Sequence, residues 1–261
     1  IVYVAGSSHT TNPSAPELAG SVEGIFRTTD GGGTWTLFKQ AHFHRKYARG
    51  KHIAFAGTNM YAAPSTGGIL KSTDGITWNL LNKSGGGYVL DLLNLYNISA
   101  HPTNNSILFV STIDGLYKIV DSGGSATVTK IGTGLPAGDV HRLQIDQTTP
   151  NTMYIAAGTN GVYRSTDGGL NFSARNNGLS NPISLGGSAK LLAMSPANSN
   201  RLLVTFQDLF GKHVYHTNDG GANWTQTSNM DEYNTDGWVA GSTFGWTANI
   251  SGTDSASTPM A

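Results

Sequence analysis

A hydroxyl residue, an Asp-Gly pair and then an aromatic side chain recur four times along this chain at nearly even spacing, which restricts it to a repeat architecture. The copies are Thr28-Thr29-Asp30-Gly31-Gly32-Gly33-Thr34-Trp35, Ser72-Thr73-Asp74-Gly75-Ile76-Thr77-Trp78, Ser165-Thr166-Asp167-Gly168-Gly169-Leu170-Asn171-Phe172 and Thr217-Asn218-Asp219-Gly220-Gly221-Ala222-Asn223-Trp224. A worn fifth copy, Val120-Asp121-Ser122-Gly123-Gly124-Ser125, stands where the period requires one. Successive aspartates lie 44, 47, 46 and 52 residues apart, close to the ~40–50-residue period of a four-stranded propeller blade. Short strand-forming runs flank each copy, such as Gly161-Val162-Tyr163-Arg164 before the third and Trp35-Thr36-Leu37-Phe38 after the first. Each copy therefore reads as the hairpin turn between the two outer strands of a blade. The expectation is an all-β protein, a β-propeller of four-stranded antiparallel blades, with about five blades plus partial blades.

The chemistry of the turn explains its composition. Asp accepts hydrogen bonds from turn amides, and the Gly after it takes positive φ without a Cβ clash. The aromatic residue then covers neighbouring apolar side chains. The second copy is one residue shorter between Asp and Trp, which predicts a turn that differs in detail.

These copies resemble the Asp-box, or BNR, repeat of sialidases, xyloglucan-cleaving glycoside hydrolases, the sortilin ectodomain and photosystem assembly factors. That resemblance implies a propeller and leaves its site open, because one fold carries many functions. It also implies that Asp30, Asp74, Asp167 and Asp219 are architectural. Sialidases need an arginine triad and an early Arg-Ile-Pro stretch, and Phe26-Arg27-Thr28 lacks that pattern. The repeat Gly161-Val162-Tyr163-Arg164-Ser165-Thr166-Asp167-Gly168-Gly169 is most like those of xyloglucanase-type hydrolases. In that family the two catalytic carboxylates come from two facing propellers. Neither matches a position here, so no catalytic residue is assigned.

Composition narrows the partner. Charged residues are 12% of the 261, Lys plus Arg equals Asp plus Glu at 16 each, and there are 34 Gly and no Cys. Zero net charge without a long basic stretch argues against nucleic acid, whose binding is driven by phosphate neutralisation. No apolar run approaches the ~18 residues that span a bilayer, so no membrane insertion is expected. A cysteine-free, weakly charged, Ser/Thr/Asn-rich chain fits a secreted, extracellular glycan-handling protein. No cofactor or metal is expected.

Both ends look cut. Ile1-Val2-Tyr3-Val4-Ala5 occupies a second-strand position, and Gly245-Trp246-Thr247-Ala248-Asn249 starts a blade without finishing it. Residues 1–261 then form one propeller domain excerpted from a longer chain, or the last segment supplies the first blade's inner strand and closes a ring.

A binding site belongs on the face opposite the acidic turns, where the loops between second and third strands and between blades gather. Its loops carry His9, Glu17 and Glu23, a basic cluster from Phe43 to His52, Asp139 and His141, and Gln207 to His213. The stretch from Met230 to Trp246 interleaves aromatics with Asp and Asn, a composition suited to sugar: rings stack on C–H bonds while carboxylates and amides take hydroxyls. Tyr233, Asp236 and Trp238, with Asp208 on a neighbouring loop, are the candidate ligand-binding residues. Trp238 and Trp246 read equally as blade-packing residues. The basic cluster reads as a uronate site or a solvated loop, and His42 with His44 as a metal pair only if a carboxylate joins them. The expected partner is a polysaccharide or glycan. The alternative is a non-catalytic scaffold that binds other protein chains.

Overall fold

The computed structural model describes residues 1–9, 21–41, 52–64, 67–90, 95–138, 140–179, 183–184, 186–207 and 212–227. They contain nineteen strands and divide into two compact units, Ile1–Ile131 and Gly132–Ala261. In the first unit, β1 (Val2–His9), β2 (Ser21–Thr28) and β3 (Thr36–Gln40) form a three-stranded sheet. Two four-stranded sheets follow: β4 (Ile53–Ala56), β5 (Asn59–Ala62), β6 (Leu70–Ser72) and β7 (Asn79–Leu80), then β8 (Leu95–Ala100), β9 (Ile107–Thr112), β10 (Gly115–Asp121) and β11 (Ala126–Ile131). The second unit holds two more: β12 (Arg142–Ile145), β13 (Met153–Ala156), β14 (Val162–Ser165) and β15 (Ser173–Ala174), and β16 (Ser188–Met194), β17 (Leu202–Gln207), β18 (Lys212–Thr217) and β19 (Thr225–Gln226).

All pairings within the sheets are antiparallel between consecutive strands, as the repeat predicts. Four acidic turns join the third to the fourth strand of their sheets, and in the first sheet that turn joins β2 to β3, so β1 takes the second-strand place. The inner strands carry the core. Tyr61, Ile98, Leu108 and Ile119 in one unit and Tyr154, Val204 and Phe206 in the other are fully covered. Each such side chain contributes roughly 1.5–3 kcal/mol, so apolar burial between sheets is the main cohesive term in a chain this poor in charge.

The turns follow one design. The last residue of the third strand is a buried hydroxyl, Thr28, Ser72, Ser165 or Thr217. It donates to the aspartate two positions on, at 2.6, 3.0, 2.7 and 2.6 Å respectively. It also accepts the turn amides of Gly32, Gly75, Gly169 and Gly221. The aspartate in turn accepts the amide four residues on, from Thr34, Asn171 and Asn223. In the short second copy it accepts Ile76 and Thr77 instead. The glycines after the aspartates have φ of 75°, 71°, 75° and 68°, as their sequence position predicts.

The worn copy breaks the expected alignment. Asp121 does not stand where the other aspartates stand; it ends β10, in the hydroxyl's place, and is buried there. One oxygen accepts the Gly123 amide at 2.8 Å, the bond that Thr28 makes to Asp30. The other takes Tyr61 Oη at 2.6 Å and Lys71 Nζ at 2.6 Å from the preceding sheet. Burial alone would raise the Asp121 pKa, but the hydrogen bonds from Lys71, Tyr61 and Gly123 outweigh it and hold the carboxyl below its ordinary value.

The same contact recurs with other partners. An aromatic on the second strand faces a base on the third in four sheets: Tyr3 opposite Arg27, Tyr61 opposite Lys71, Phe109 opposite Lys118 and Tyr154 opposite Arg164. Arg27, Lys71 and Arg164 lie over their tyrosine rings at 5.9, 5.9 and 5.6 Å, a cation–π arrangement. Each of those tyrosine hydroxyls reaches the next sheet's turn. A Cβ on Gly75 would overlap the Tyr3 hydroxyl and come within 2.7 Å of its Cζ, and one on Gly220 would lie 2.9 Å from Tyr154 Oη. In the second unit two turns are also held by backbone bonds. Phe172 N donates to Thr133 O at 2.8 Å, and Trp224 N donates to Asn177 O at 2.9 Å. Phe172 and Trp224 are buried there, Trp78 is buried against Tyr3 and Met60 in the first unit, and Trp35 stays 44% exposed.

Two outcomes test these joints. Gly31 and Gly75 share nearly the same φ, but only Gly75 has a neighbour in a Cβ's path. Gly31→Ala is expected to cost about 1–2 kcal/mol for the backbone alone, and Gly75→Ala about 1–3 kcal/mol more for the overlap; equal losses in urea unfolding would refute the tyrosine contact. Asp121→Ala is expected to cost about 2–4 kcal/mol because it strands the partly buried Lys71 and the Tyr61 hydroxyl. Adding Lys71→Met should recover most of that loss, and a double variant no better than the single would refute the ion pair.

Candidate functional site

Each of the four turn aspartates accepts three hydrogen bonds from its own turn. Asp74 is held at about 2 first by the Ile76 amide, Asp167 at about 2 first by the Asn171 amide, and Asp219 at about 2 first by the Thr217 hydroxyl. The Thr28 hydroxyl leads the same effect at Asp30, whose carboxyl lies well below the usual range. A general acid needs a pKa near the working pH, so none of these groups can serve as one.

The turns between first and second strands share that end of each sheet. Gly168 N donates to Asn151 O at 3.0 Å, Gly220 N to Asn200 O at 2.9 Å and Asp121 N to Ser106 O at 2.8 Å. The opposite end, where ligand-reading loops were expected, is built differently in each unit.

In the first unit the tight β9–β10 hairpin presents Asp114. Its carboxylate receives Tyr117 Oη at 2.6 Å and Lys130 Nζ at 2.9 Å, and its side chain is 51% exposed. The Tyr117 hydrogen bond, then that of Lys130, holds Asp114 below its ordinary pKa, while burial and then Asp114 push Tyr117 up to about 12. Near neutral pH the trio is an exposed carboxylate braced by a neutral phenol and an ammonium, able to accept hydroxyl donors. Sequence reading passed over it because Ile113-Asp114-Gly115 looks like an ordinary turn. His52, at the entry to β4, is buried, with Nδ1 2.8 Å from Ala63 O, and burial lowers its pKa.

In the second unit residues 157–161 form the β13–β14 loop. Asn176 pins it, accepting Val162 N at 2.8 Å and donating to Asn160 O at 2.9 Å. Gly158 O accepts Ala189 N at 2.8 Å, which ties the loop to the start of β16. His141 is buried just ahead of β12, and its amide donates to Ala156 O at 2.9 Å. Arg142 and Gln144 follow on one face of that strand, and Gln144 Nε2 donates to Leu192 O at 2.8 Å.

Asp208, Tyr233, Asp236 and Trp238 lie outside the described residues, as do Glu17, the basic cluster up to Lys51, Asp139, Phe244 and Trp246. The structure therefore neither gathers nor separates the predicted ligand set. Glu23 is in β2 and His213 in β18. Among the described residues no group of three or more His, Asp and Glu side chains could hold a metal ion, and no helix is long and apolar enough to cross a membrane.

No protein-family model matches the chain. In sequence it is similar to a xyloglucanase of Hypocrea jecorina (strain QM6a), 23% identical over 225 residues, which cover 86% of this chain and 25% of that protein. In structure it is similar to a GH74 enzyme of Niastella koreensis, with a TM-score of 0.61 at 21% identity over 80% of this chain and 34% of the other. The Dos1 propeller is similar too, with a TM-score of 0.50 at 12% identity over 71% of this chain and 53% of that one. These likenesses agree with the strand order in giving a β-propeller fold. The chain spans about a quarter of the curated relative it matches and about a third of the GH74 enzyme.

The depressed turn carboxyls set a pH window. Their folded pKa lies below the unfolded value of ~3.9, so their stabilisation is complete above about pH 4 and is lost as pH falls toward 2. Thermal melts are expected to show that acid decline, with a shallower slope in Asp167→Asn/Asp219→Asn. An unchanged slope would contradict the hydrogen-bonded turns.

Proposed function

We propose that this chain is part of a secreted Asp-box propeller that recognises a polysaccharide, and that the longer protein containing it hydrolyses a glucan of the xyloglucan type. The observation that carries this reading is the sequence similarity to a xyloglucanase across 86% of the chain. Low charge and abundant Ser, Thr and Asn support a secreted glycan binder. Hydrolysis by a carboxylate pair needs the two groups ~5–9.5 Å apart, and the turn aspartates are spent on structure, so the reacting pair belongs on the opposite face or in sequence beyond this chain.

In this reading Tyr233 and Trp238 stack on sugar rings, and Asp236 and Asp208 accept their hydroxyls. Titrating xyloglucan oligosaccharides while following Trp fluorescence should give a saturable change. Trp238→Ala should weaken binding about tenfold, since stacking and burial of such a ring are worth about 1.4 kcal/mol or more. Asp208→Ala and Asp236→Ala should each weaken it several-fold, at about 1 kcal/mol per hydrogen bond. No response to any neutral or acidic glycan, together with a stoichiometric protein partner whose binding survives both Asp variants, would replace this reading with the scaffold.

A further inference from the structure

Among the described residues Arg142 is a cation without a carboxylate partner. It opens β12 directly opposite Ala156, on the sheet face it shares with Gln144 and Tyr154. That face packs on β16: Tyr154 and Ala156 join Ala189, Leu192, Val204 and Phe206 in one apolar cluster. The guanidinium is half-buried beside it, with Nε enclosed and lacking a hydrogen-bond partner, and burial pulls its pKa below the ordinary value. Among the described residues no carboxylate pairs with it. Arg27 and Arg164 leave Nε unpartnered as well, but each lies over a tyrosine ring, and Lys71 pairs with Asp121.

Arg142 sits at the end of its sheet away from the acidic turns, one residue after buried His141. The register of β16 shifts between Ala189 and Leu191, a bulge of the kind that re-aims side chains beside sites. Gly158, at φ 55°, leaves open a place where a Cβ would stand 3.4 Å from His141 Nε2 and 3.7 Å from Ser188 Oγ. A partly desolvated guanidinium pairs with a bidentate oxyanion, and a carboxylate matches its plane and neutralises its single charge.

We infer that Arg142 recognises a carboxylate, namely the uronate group of an acidic polysaccharide. The inference rests on the glycan-binding reading and narrows it to a substrate bearing acidic sugars. It also makes the uronate subsite an inner-strand residue rather than the basic cluster near His44.

Calorimetry with a galacturonate oligomer and with the same oligomer reduced to its neutral form separates the two readings. The wild-type chain should bind the acidic oligomer at least tenfold more tightly. Arg142→Gln should abolish the preference while keeping the neutral affinity, and Arg142→Lys should keep part of it. Binding of both oligomers without preference would overturn the Arg142 assignment and leave glycan recognition standing. Binding of neither would overturn both. Stabilisation of the wild type by acetate, lost in Arg142→Gln, without oligomer binding would reassign the site to small free carboxylates and overturn the polysaccharide inference. Without ligand, Arg142→Gln should melt no lower than wild type, because it removes a desolvated, unpaired charge. A fall of several degrees would mean that a carboxylate of this chain already pairs with Arg142, which refutes the proposal.

Discussion

The joint between one sheet and the next acidic turn is the constraint on which the rest depends. A tyrosine on a second strand, held under a base from the third, reaches the next sheet's turn, where only glycine leaves room for it. The turn keeps its shape because a buried hydroxyl and an aspartate exchange hydrogen bonds with each other and with the turn amides. Remove any member and a buried polar group loses its partner, which costs more than the bond itself was worth. At the Tyr61 joint a carboxylate has moved into the hydroxyl's place and turned the contact into an ion pair.

That economy explains a chain with so few charges. Sheets cohere by burying the apolar side chains of their inner strands, and the polar groups at their ends are satisfied locally by hydroxyls, amides and turn aspartates. The exposed turn carboxylates are charged only to fill these hydrogen bonds. The other end of each sheet is free of this duty, and its contents vary: a braced Asp114 in one sheet, an Asn-pinned loop and Arg142 in another.

The architecture was legible because the turn chemistry repeats: Asp-Gly at a blade's period fixes hairpins, and the hairpins fix strand order. Asp121 was misaligned because its neighbours Ser122-Gly123-Gly124 look like an Asp-Gly turn, and nothing local reveals that its carboxylate points inward to Lys71. The tyrosine–base pairs were equally hidden, since Tyr3 and Arg27 meet across a loop while Tyr61 and Lys71 are ten positions apart. The site was less legible still. Loop composition drew attention to Asp139 and His141 and passed over Arg142 at the start of β12, because its lack of a carboxylate partner among the described residues can be read only from packing. Tyr233, Asp236, Trp238 and Asp208 remain a proposal resting on composition.

The division between clasping turns and reading loops is most directly tested by mapping amide chemical-shift changes when a glycan binds. Perturbations should cluster at residues 140–144, 157–161 and 186–190 and leave 28–35, 72–78, 165–172 and 217–224 unmoved. Changes concentrated in the four acidic turns would contradict it.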